Sequence, residues 1–225
     1  MSSASLPGSA SEYWDKYRPH RGAEPQTRPP ADRFDWTGVP GTGPGAEVLG
    51  GPRTALDLGP AEGENAAFLA RSGVDVVGVD FSPVQVARAR AFWHDLPSLL
   101  FVQAEACTFL DTEGERQFDA VYSTWGAVWF TDPEELFPRV LRRLTPGGVF
   151  AFSHREPATG TYGAQPMGGR WLEGRETELT VRRWQHTAEQ WADTLKRHGF
   201  TDIDAQVVPS PEAGALGTLL VRGRG

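Results

Sequence analysis

Between Thr54 and Ser153, short apolar segments alternate with segments of helical character, and this alternation constrains the fold more than any other feature. The intervening segments begin with helix-starting pairs such as Ser82-Pro83 and Asp132-Pro133. The apolar segments are TALDL (54–58), VDVVGVD (74–80), LLFVQAEA (99–106), FDAVYST (118–124) and GVFAFSH (148–154). Strands that are apolar along their whole length are typical of a parallel sheet covered on both faces. The sequence therefore predicts a doubly wound α/β fold.

The segments on either side of this region have a different composition. Residues 1–52 are rich in Gly, Pro and Ser, with one candidate helix at SEYWDKYR, and predict a partly disordered N-terminal arm that could serve as a lid. We predict a single domain over residues 53–225, in which the Gly-rich stretch 155–186 is a substrate-side insertion that could hold a hairpin. The remainder predicts a helix, HTAEQWADTLKRHG, and two strands, FTDIDAQVV and LGTLLVRG.

The charge and cysteine content narrow the classes of partner. The 22 basic and 29 acidic residues give a net charge of −7, which disfavours binding to nucleic acid or to an anionic membrane. Cys107 is the only cysteine, so an intramolecular disulfide and a cysteine-based zinc cluster are excluded. No signal peptide or membrane-spanning stretch is evident. We expect a cytoplasmic protein without a metal ion, as a monomer or homodimer.

The loop DLGPAEG, from Asp57 to Gly63, is the first candidate site. A strand, a Gly-bearing turn and a helix start expose backbone N–H groups to a nucleotide. Asp80, at the end of the next strand, can accept hydrogen bonds from both ribose hydroxyls. However, Glu62 and Glu64 would repel a pyrophosphate. An acidic loop instead favours a positively charged sulfonium nucleoside, S-adenosylmethionine, over a dinucleotide.

The stretch LDLGPAEGENAAFLA resembles the first motif of the class I S-adenosylmethionine-dependent methyltransferases, an acid followed by three glycines at alternate positions. Ala61 departs from this pattern because it replaces the middle glycine. The resemblance covers about residues 54–153. It implies a seven-stranded sheet with six parallel strands and the last antiparallel. It also implies S-adenosylmethionine as cofactor and S-adenosylhomocysteine as product.

The same resemblance assigns roles within the first motif. It implies that Asp57 and Gly59 shape the pocket for the methionine moiety, and that Gly63 lets the cofactor lie against the turn. The methyl group of Ala61 would narrow the approach of the cofactor and cause a small local shift. Asp57 could alternatively be a helix-capping residue, as in any doubly wound protein.

Further roles follow the next strands. The resemblance implies that Asp80 binds the ribose and that Phe81 stacks beside the adenine. Glu105 stands where the family usually has Asp to accept from the adenine amino group, with the backbone of Ala106 alongside. Ser123 would lie beside the methyl group. Capping by Asp80 and core packing of Phe81 are the alternatives.

The acceptor should lie at the carboxyl ends of the parallel strands, which places Trp125, Trp129 and His154 near the reacting centre. His154 is the candidate general base because an ordinary imidazole titrates near neutral pH; a hydrogen-bonded structural histidine is the alternative. The two tryptophans could wall an aromatic acceptor or hold a cationic amine, and core packing is the alternative for Trp129. Tyr17 is a further candidate for substrate binding.

Several side chains of the flanking segments could also converge on the acceptor. Tyr13, His20 and His186 have the required chemistry, but the sequence gives no distances. Arginines could recognise a carboxylate or phosphate, although a solvated side chain is the ordinary role of a lone arginine. The candidates are Arg18, Arg21, Arg155 and Arg170.

The sequence therefore predicts methyl transfer to an oxygen or nitrogen of a small-molecule metabolite, in secondary metabolism. The fourth strand ends in STWG rather than the Asn/Asp-Pro-Pro-aromatic run that holds a planar amino group, which argues against nucleobase and glutamine methylation. Methylation of a protein or RNA and a non-catalytic S-adenosylmethionine-binding protein are the alternatives.

Overall fold

A seven-stranded sheet is the centre of the fold in a computed structural model, which describes residues 8–17, 27–112, 114, 116–168 and 180–225. Its strands are β1 (Thr54–Leu58), β2 (Asp75–Asp80), β3 (Leu99–Gln103), β4 (Phe118–Thr124), β5 (Leu144–Arg155), β8 (Thr201–Val208) and β9 (Thr218–Arg224). An antiparallel pair, β6 (Gly163–Gly168) and β7 (Thr180–Gln185), forms a separate small sheet.

The strand order is β3-β2-β1-β4-β5-β9-β8. Strands β1 to β5 pair in parallel, and β9 lies antiparallel between β5 and β8. The predicted sheet, with six parallel strands and the last antiparallel, is confirmed. In this topology the chain reverses its direction of travel across the sheet at β1, and the neighbouring strands β1 and β4 end beside each other. That is where ligands bind in open α/β sheets.

Helices cover both faces of the sheet, and three of them begin at a capping side chain that the sequence indicates. They are α1 (Gly8–Asp15), α2 (Glu64–Arg71), α3 (Pro83–Phe92), α4 (Ala106–Thr112), α5 (Ala127–Phe130), α6 (Pro133–Arg143), α7 (Ala188–Arg197) and a 3-10 turn at Ala46–Leu49. Ser82 caps α3 and Asp132 caps α6 by accepting backbone N–H groups. Thr187 and Gln190 form a capping box at α7. None of the helices in the described ranges has the length and apolar content of a membrane span.

Alternating residues of the strands build a separate core on each face. Leu56 and Leu58 of β1 pack with the side chains of α4, α6 and α7 on one face. Ala55 of β1 and Tyr122 of β4 face the other core, which contains side chains of α2 and α3. The described residues 27–52 also belong to this second core, where Trp36 and Leu49 are fully buried.

Specific hydrogen bonds hold residues 27–52 to the sheet. The Asn65 side chain on α2 accepts from the amide of Asp35 and donates to its carbonyl, each across 2.9 Å. The carbonyl of Trp36 accepts from the Trp125 indole across 3.0 Å and from the Ser153 hydroxyl across 2.7 Å. This part of the predicted arm is therefore fixed against the ends of β4 and β5.

One strand is shorter than the sequence predicts. The prediction of a strand over 99–106 is wrong at its end, because β3 stops at Gln103 and α4 begins at Ala106. The Glu105 carboxylate accepts hydrogen bonds from the amides of Cys107 and Thr108, so it acts as the helix cap and ends the strand. The helices α4 and α5 are too short to give a clear helical period in the sequence.

Candidate active site

The loop after β1 follows a left-handed path at three alternate residues. The φ angles of Gly59, Ala61 and Gly63 are 82°, 49° and 83°. A Cβ on Gly59 would lie 2.4 Å from the backbone nitrogen of Ala127, and one on Gly63 would lie 2.5 Å from the Phe101 ring. Glycine is therefore required at these two positions, whereas Ala61 adopts the left-handed backbone with its methyl group in place.

Asp80 ends β2 directly beside this loop. Its carboxylate accepts hydrogen bonds from the amide of Ser82 across 2.9 Å and from the amide of Ala61 across 3.2 Å. Burial raises the pKa of Asp80 to about 6, although both hydrogen bonds oppose the rise. The carboxylate is therefore ionised at neutral pH and held in a fixed orientation at the strand end.

Asp57 lies one strand away and is 1% exposed. It stands in register with Tyr122 on β4, whose hydroxyl faces the same carboxyl group. Burial, reinforced by the carboxylates of Asp80 and Glu64, raises the pKa of Asp57 to about 8. The Tyr122 hydroxyl opposes this rise, and the Oδ1 atom of Asp57 has no partner in full hydrogen-bond geometry among the described residues. A buried carboxyl with an unsatisfied oxygen suits a ligand that brings a cationic donor, as the ammonium group of S-adenosylmethionine does.

The residues predicted to hold the adenine lie at the ends of β2 and β3. Phe81 follows Asp80 and is half-buried. Glu105 is also half-buried, and each of its carboxylate oxygens accepts one α4 amide, across 3.0 Å and 2.8 Å. Ala106 is buried as the first residue of α4. A carboxylate has lone pairs for further donors, so the adenine role of Glu105 stays a prediction.

Ser123 links the two strands on which the site is built. Its buried hydroxyl donates to the carbonyl of Leu58 across 2.7 Å and accepts from the amide of Val128 across 3.3 Å. It therefore fixes the end of β1 to the start of α5. The place of Ser123 beside the methyl group stays a prediction. Its two hydrogen bonds show that it stabilises the loop between β1 and α5.

The three residues predicted near the acceptor come together at the ends of β4 and β5. The rings of Trp125 and Trp129 meet edge to face, with centroids 5.7 Å apart. The Trp129 ring stacks on the His154 ring, with centroids 5.2 Å and planes 7° apart. Trp125 has a left-handed φ of 55°, and its indole is held by the carbonyl of Trp36.

His154 is completely buried within this group. Its Nδ1 atom lies 2.8 Å from the carbonyl oxygen of Arg155, which assigns the ring proton to Nδ1. Burial lowers the pKa of His154 to about 4, so the ring is neutral at physiological pH. Its Nε2 lone pair has no hydrogen-bond partner in the part of the chain that the structure describes. Both a base and a structural histidine are compatible with this state, and the catalytic role stays a prediction.

Helix α1 packs across the start of α3, next to the candidate cofactor site. The Ser82 hydroxyl donates to Asp15 across 2.6 Å, and the Gln85 side chain donates to the carbonyls of Trp14 and Tyr17, each across 2.8 Å. Burial, followed by the carboxylates of Glu64 and Glu62, raises the pKa of Tyr17. Tyr17 therefore lies near the acidic loop, on the cofactor side, and its predicted contact with the acceptor stays a prediction.

Strand β7 and helix α1 pack together beside α5. Tyr13 of α1 and Val181 of β7 are buried against each other, with Phe130 of α5 packed against them. His186 meets the Trp191 ring edge to face and contributes to the electrostatic environment of His154. Tyr13 and His186 therefore lie in the same region as α5 and His154, and their convergence on the acceptor stays a prediction. The other flanking candidates Arg18, His20, Arg21 and Arg170 lie outside the described residues.

Two residues of this region were missed in the sequence. Tyr122 looked like an ordinary strand residue, although its position opposite the motif aspartate follows once β4 is placed beside β1. Arg183 lies on β7 between the buried residues Val181 and Gln185. A charged residue that alternates with apolar or buried residues on the same face of a strand is a signal in the sequence that could have identified Arg183.

Together, the turn after β1 and the carboxylates at the strand ends define a nucleotide-binding protein of the doubly wound α/β class. The family described as "Methyltransferase domain" matches residues 56–152. Trans-aconitate 2-methyltransferase of Methylobacterium radiotolerans is 38% identical in an alignment of 117 residues that covers 49% of this chain and 43% of that protein. The enzyme of this name from Escherichia coli is 34% identical over 151 residues, 65% of this chain and 52% of that protein. The chain thus spans about half the length of these curated relatives.

Solved structures agree with this assignment. The 1,6-didemethyltoxoflavin-N1-methyltransferase of Burkholderia thailandensis, solved with 1,6-didemethyltoxoflavin and S-adenosylhomocysteine, is 25% identical with a TM-score of 0.57 over 80% of this chain and 73% of that one. An S-adenosylmethionine-dependent methyltransferase of Mesorhizobium loti is 26% identical with a TM-score of 0.57, over 79% and 93% respectively. Over residues 56–152 the chain is similar to the class I S-adenosylmethionine-dependent methyltransferases, and these comparisons confirm the resemblance, the fold and S-adenosylmethionine as the cofactor.

Proposed function

We propose that this protein transfers a methyl group from S-adenosylmethionine to a small-molecule acceptor. The observation that carries the proposal is the arrangement of two buried carboxyl groups, Asp57 and Asp80, at the ends of neighbouring strands around the left-handed loop. One has an oxygen without a donor among the described residues, and the other is already oriented by two backbone amides. This pattern suits a cationic nucleoside better than a phosphate ligand.

We assign the parts of the cofactor as follows. Asp57 binds the ammonium group, Asp80 accepts from the ribose hydroxyls, and the turn at Gly59 and Gly63 lets the ligand approach the main chain. Phe81, Glu105 and Ala106 border the adenine. The negative charges of Glu62 and Glu64 near the loop compensate the sulfonium charge.

The residues on the acceptor side position the acceptor and do not provide a strong base. When bound, S-adenosylmethionine supplies a methyl carbon to which the acceptor lone pair bonds, while the C–S bond breaks and its electron pair stays on the sulfur of S-adenosylhomocysteine. Trp125, Trp129 and His154 orient the acceptor, an oxygen or nitrogen nucleophile, in line with that bond. Neutral His154 can take a proton at Nε2 where the acceptor must lose one.

A small acceptor is favoured over a macromolecule by the enclosure of this region. Strand β7 packs against the helices α1 and α5, and α5 also contacts β5. The relatives named above act on compounds of low molecular mass according to their names, namely trans-aconitate and 1,6-didemethyltoxoflavin. A role in secondary metabolism is part of the same proposal.

Transfer of a labelled methyl group tests this function. The full chain is incubated with S-[methyl-³H]adenosylmethionine and a panel of small acids, phenols, amines and N-heterocycles that includes trans-aconitate. We expect label in one product and an equal amount of S-adenosylhomocysteine, and loss of both in Asp80→Ala. Cofactor binding without transfer to any member of a broad panel would contradict the enzymatic proposal and favour the non-catalytic alternative.

A further inference from the structure

We propose that Arg183 is an anion-binding residue of the acceptor site and that the methyl acceptor carries a carboxylate group. This inference rests on the proposed function, since it names the chemical class of the acceptor for the same site. Arg183 belongs to no motif of the sequence. Its place on β7, the groups that surround its guanidinium and the distribution of charge between the two sides of the site support the inference.

Arg183 is on the inner face of β7. Its strand neighbours in the same phase, Val181 and Gln185, are buried, whereas Arg182, in the opposite phase, is exposed. Strand β7 packs against α5 and α1, and α5 in turn contacts β5. The half-buried Arg183 side chain is therefore directed toward the acceptor region rather than toward bulk solvent.

The guanidinium of Arg183 lies within the aromatic group already described. Its central carbon is 5.3 Å from the centroid of the Trp129 ring, and Trp129 stacks on His154. At this distance the guanidinium and the Trp129 ring attract each other as a cation and a π face. Arg183 thus contacts the Trp129 ring, which in turn stacks on His154 near the end of β5.

The hydrogen-bond donors of Arg183 are poorly satisfied. Its Nη1 atom lies 3.6 Å from the sulfur of Met167, a weak acceptor, and its buried Nε atom has no acceptor among the described residues. In those same ranges, none of the ion pairs involves Arg183. A partly buried cation without an anion is unfavourable, so an anionic ligand would stabilise this arrangement.

The charges of the site are separated in a way that fits an anionic acceptor. Burial, followed by the nearby Arg155, lowers the pKa of Arg183, and only Tyr13 opposes this change. The cofactor side instead contains the ionised carboxylate of Asp80. A carboxylate would be held on the cationic side while the positive sulfonium occupies the acidic side. The planar fork of an arginine binds a carboxylate through two parallel hydrogen bonds.

Calorimetry with S-adenosylhomocysteine-saturated protein tests this inference. The titrants are trans-aconitate, benzoate, their neutral methyl esters and inorganic phosphate. The Arg183→Gln variant removes the charge, and Arg182→Gln is the matched control because it changes the exposed neighbour on the same strand. Affinity for S-adenosylhomocysteine, measured first in each variant, reports separately on the cofactor site.

We expect at least one of the two carboxylates to bind the wild-type complex. Its affinity for Arg183→Gln should be about 10- to 100-fold lower, because the substitution removes a charged hydrogen-bonded pair. Arg182→Gln should bind it within twofold of wild type, the neutral esters should not distinguish the variants, and affinity for S-adenosylhomocysteine should be unchanged. Equal carboxylate affinity in the two variants would overturn the inference. So would a wild-type complex that binds neither carboxylate, or that binds phosphate more tightly. Failure of the wild type to bind S-adenosylhomocysteine would instead contradict the proposed function, and this inference with it.

Discussion

The carboxylate of Asp80 accepts a hydrogen bond from the amide of Ala61 across 3.2 Å. This bond joins the residue that departs from the family motif to the residue proposed to bind the ribose. It also shows how the departure is tolerated, because Ala61 keeps the left-handed backbone and directs its N–H group at the strand end. The loop thus conserves its path and stores a small conformational strain at one residue.

Replacement of Ala61 by glycine should release this strain. A left-handed alanine costs about 1–2 kcal/mol, and the greater chain entropy of glycine offsets about 0.5–1 kcal/mol of the gain. We therefore expect Ala61→Gly to raise the free energy of unfolding by up to about 1 kcal/mol in urea denaturation. Ala87→Gly, at an exposed position within α3, should lower it by about 1 kcal/mol. Equal destabilisation by both changes would contradict the strain at Ala61.

Asp57 should make the stability of the ligand-free protein depend on pH. Its pKa rises from 3.8 to about 8 on folding, so the folded state binds a proton that the unfolded state has released. The resulting penalty grows as pH rises from about 4 to about 8. Asp57→Asn removes it, and the stability of this variant relative to wild type should increase between pH 5 and pH 8. Urea denaturation at both pH values measures this difference, and a constant difference would refute the assignment.

Asn65 should be important for stability, because its side chain connects α2 to two other segments. Besides its two bonds to Asp35, its amide nitrogen donates to the hydroxyl of Thr124 across 3.1 Å. Asn65→Ala leaves these partly buried groups without partners and should lower the free energy of unfolding by about 1–3 kcal/mol. Gln103→Ala, at an exposed strand end, should change it by less than about 0.5 kcal/mol. Similar values for the two variants would show that these bonds contribute little.

His154 should not titrate near neutral pH. Burial lowers its pKa to about 4, so the ring stays neutral and keeps its proton on Nδ1 throughout the range from pH 5 to pH 8. In an NMR titration, the ring proton signal that disappears in His154→Gln should keep a constant chemical shift over that range. A midpoint between pH 6 and pH 7 would show that the imidazole is hydrated and exchanges with solvent.

The sheet and the cofactor loop could be predicted because their signals are local. Each apolar segment identifies a strand, and the motif from Asp57 to Gly63 lies within one turn. The failure at the end of β3 has a local cause as well, since Glu105 caps a helix where the apolar pattern still suggested a strand.

The acceptor side depends on contacts between distant segments, which periodicity does not reveal. Arg183 reaches Trp129 from β7, and Trp36 holds Trp125 through a carbonyl that is 89 positions away in the chain. Every residue has a backbone carbonyl, so the residue type at position 36 does not indicate this hydrogen bond. The sequence therefore predicted where β4 and β5 end. It did not reveal the residues of segment 27–52 and of β7 that contact the side chains at these strand ends.

Titration of the full chain with S-adenosylhomocysteine by calorimetry tests the central claim most directly. We expect one site per chain in the wild type and about 10- to 100-fold weaker binding in Asp80→Asn, which keeps the shape of the side chain and removes its charge. Wild-type affinity should also fall as pH is lowered through about 6, the pKa of Asp80. Asp75→Asn, an exposed position at the opposite end of β2, should bind as the wild type does. Absence of binding to the wild type, or equal affinity in Asp80→Asn and Asp75→Asn, would contradict the account.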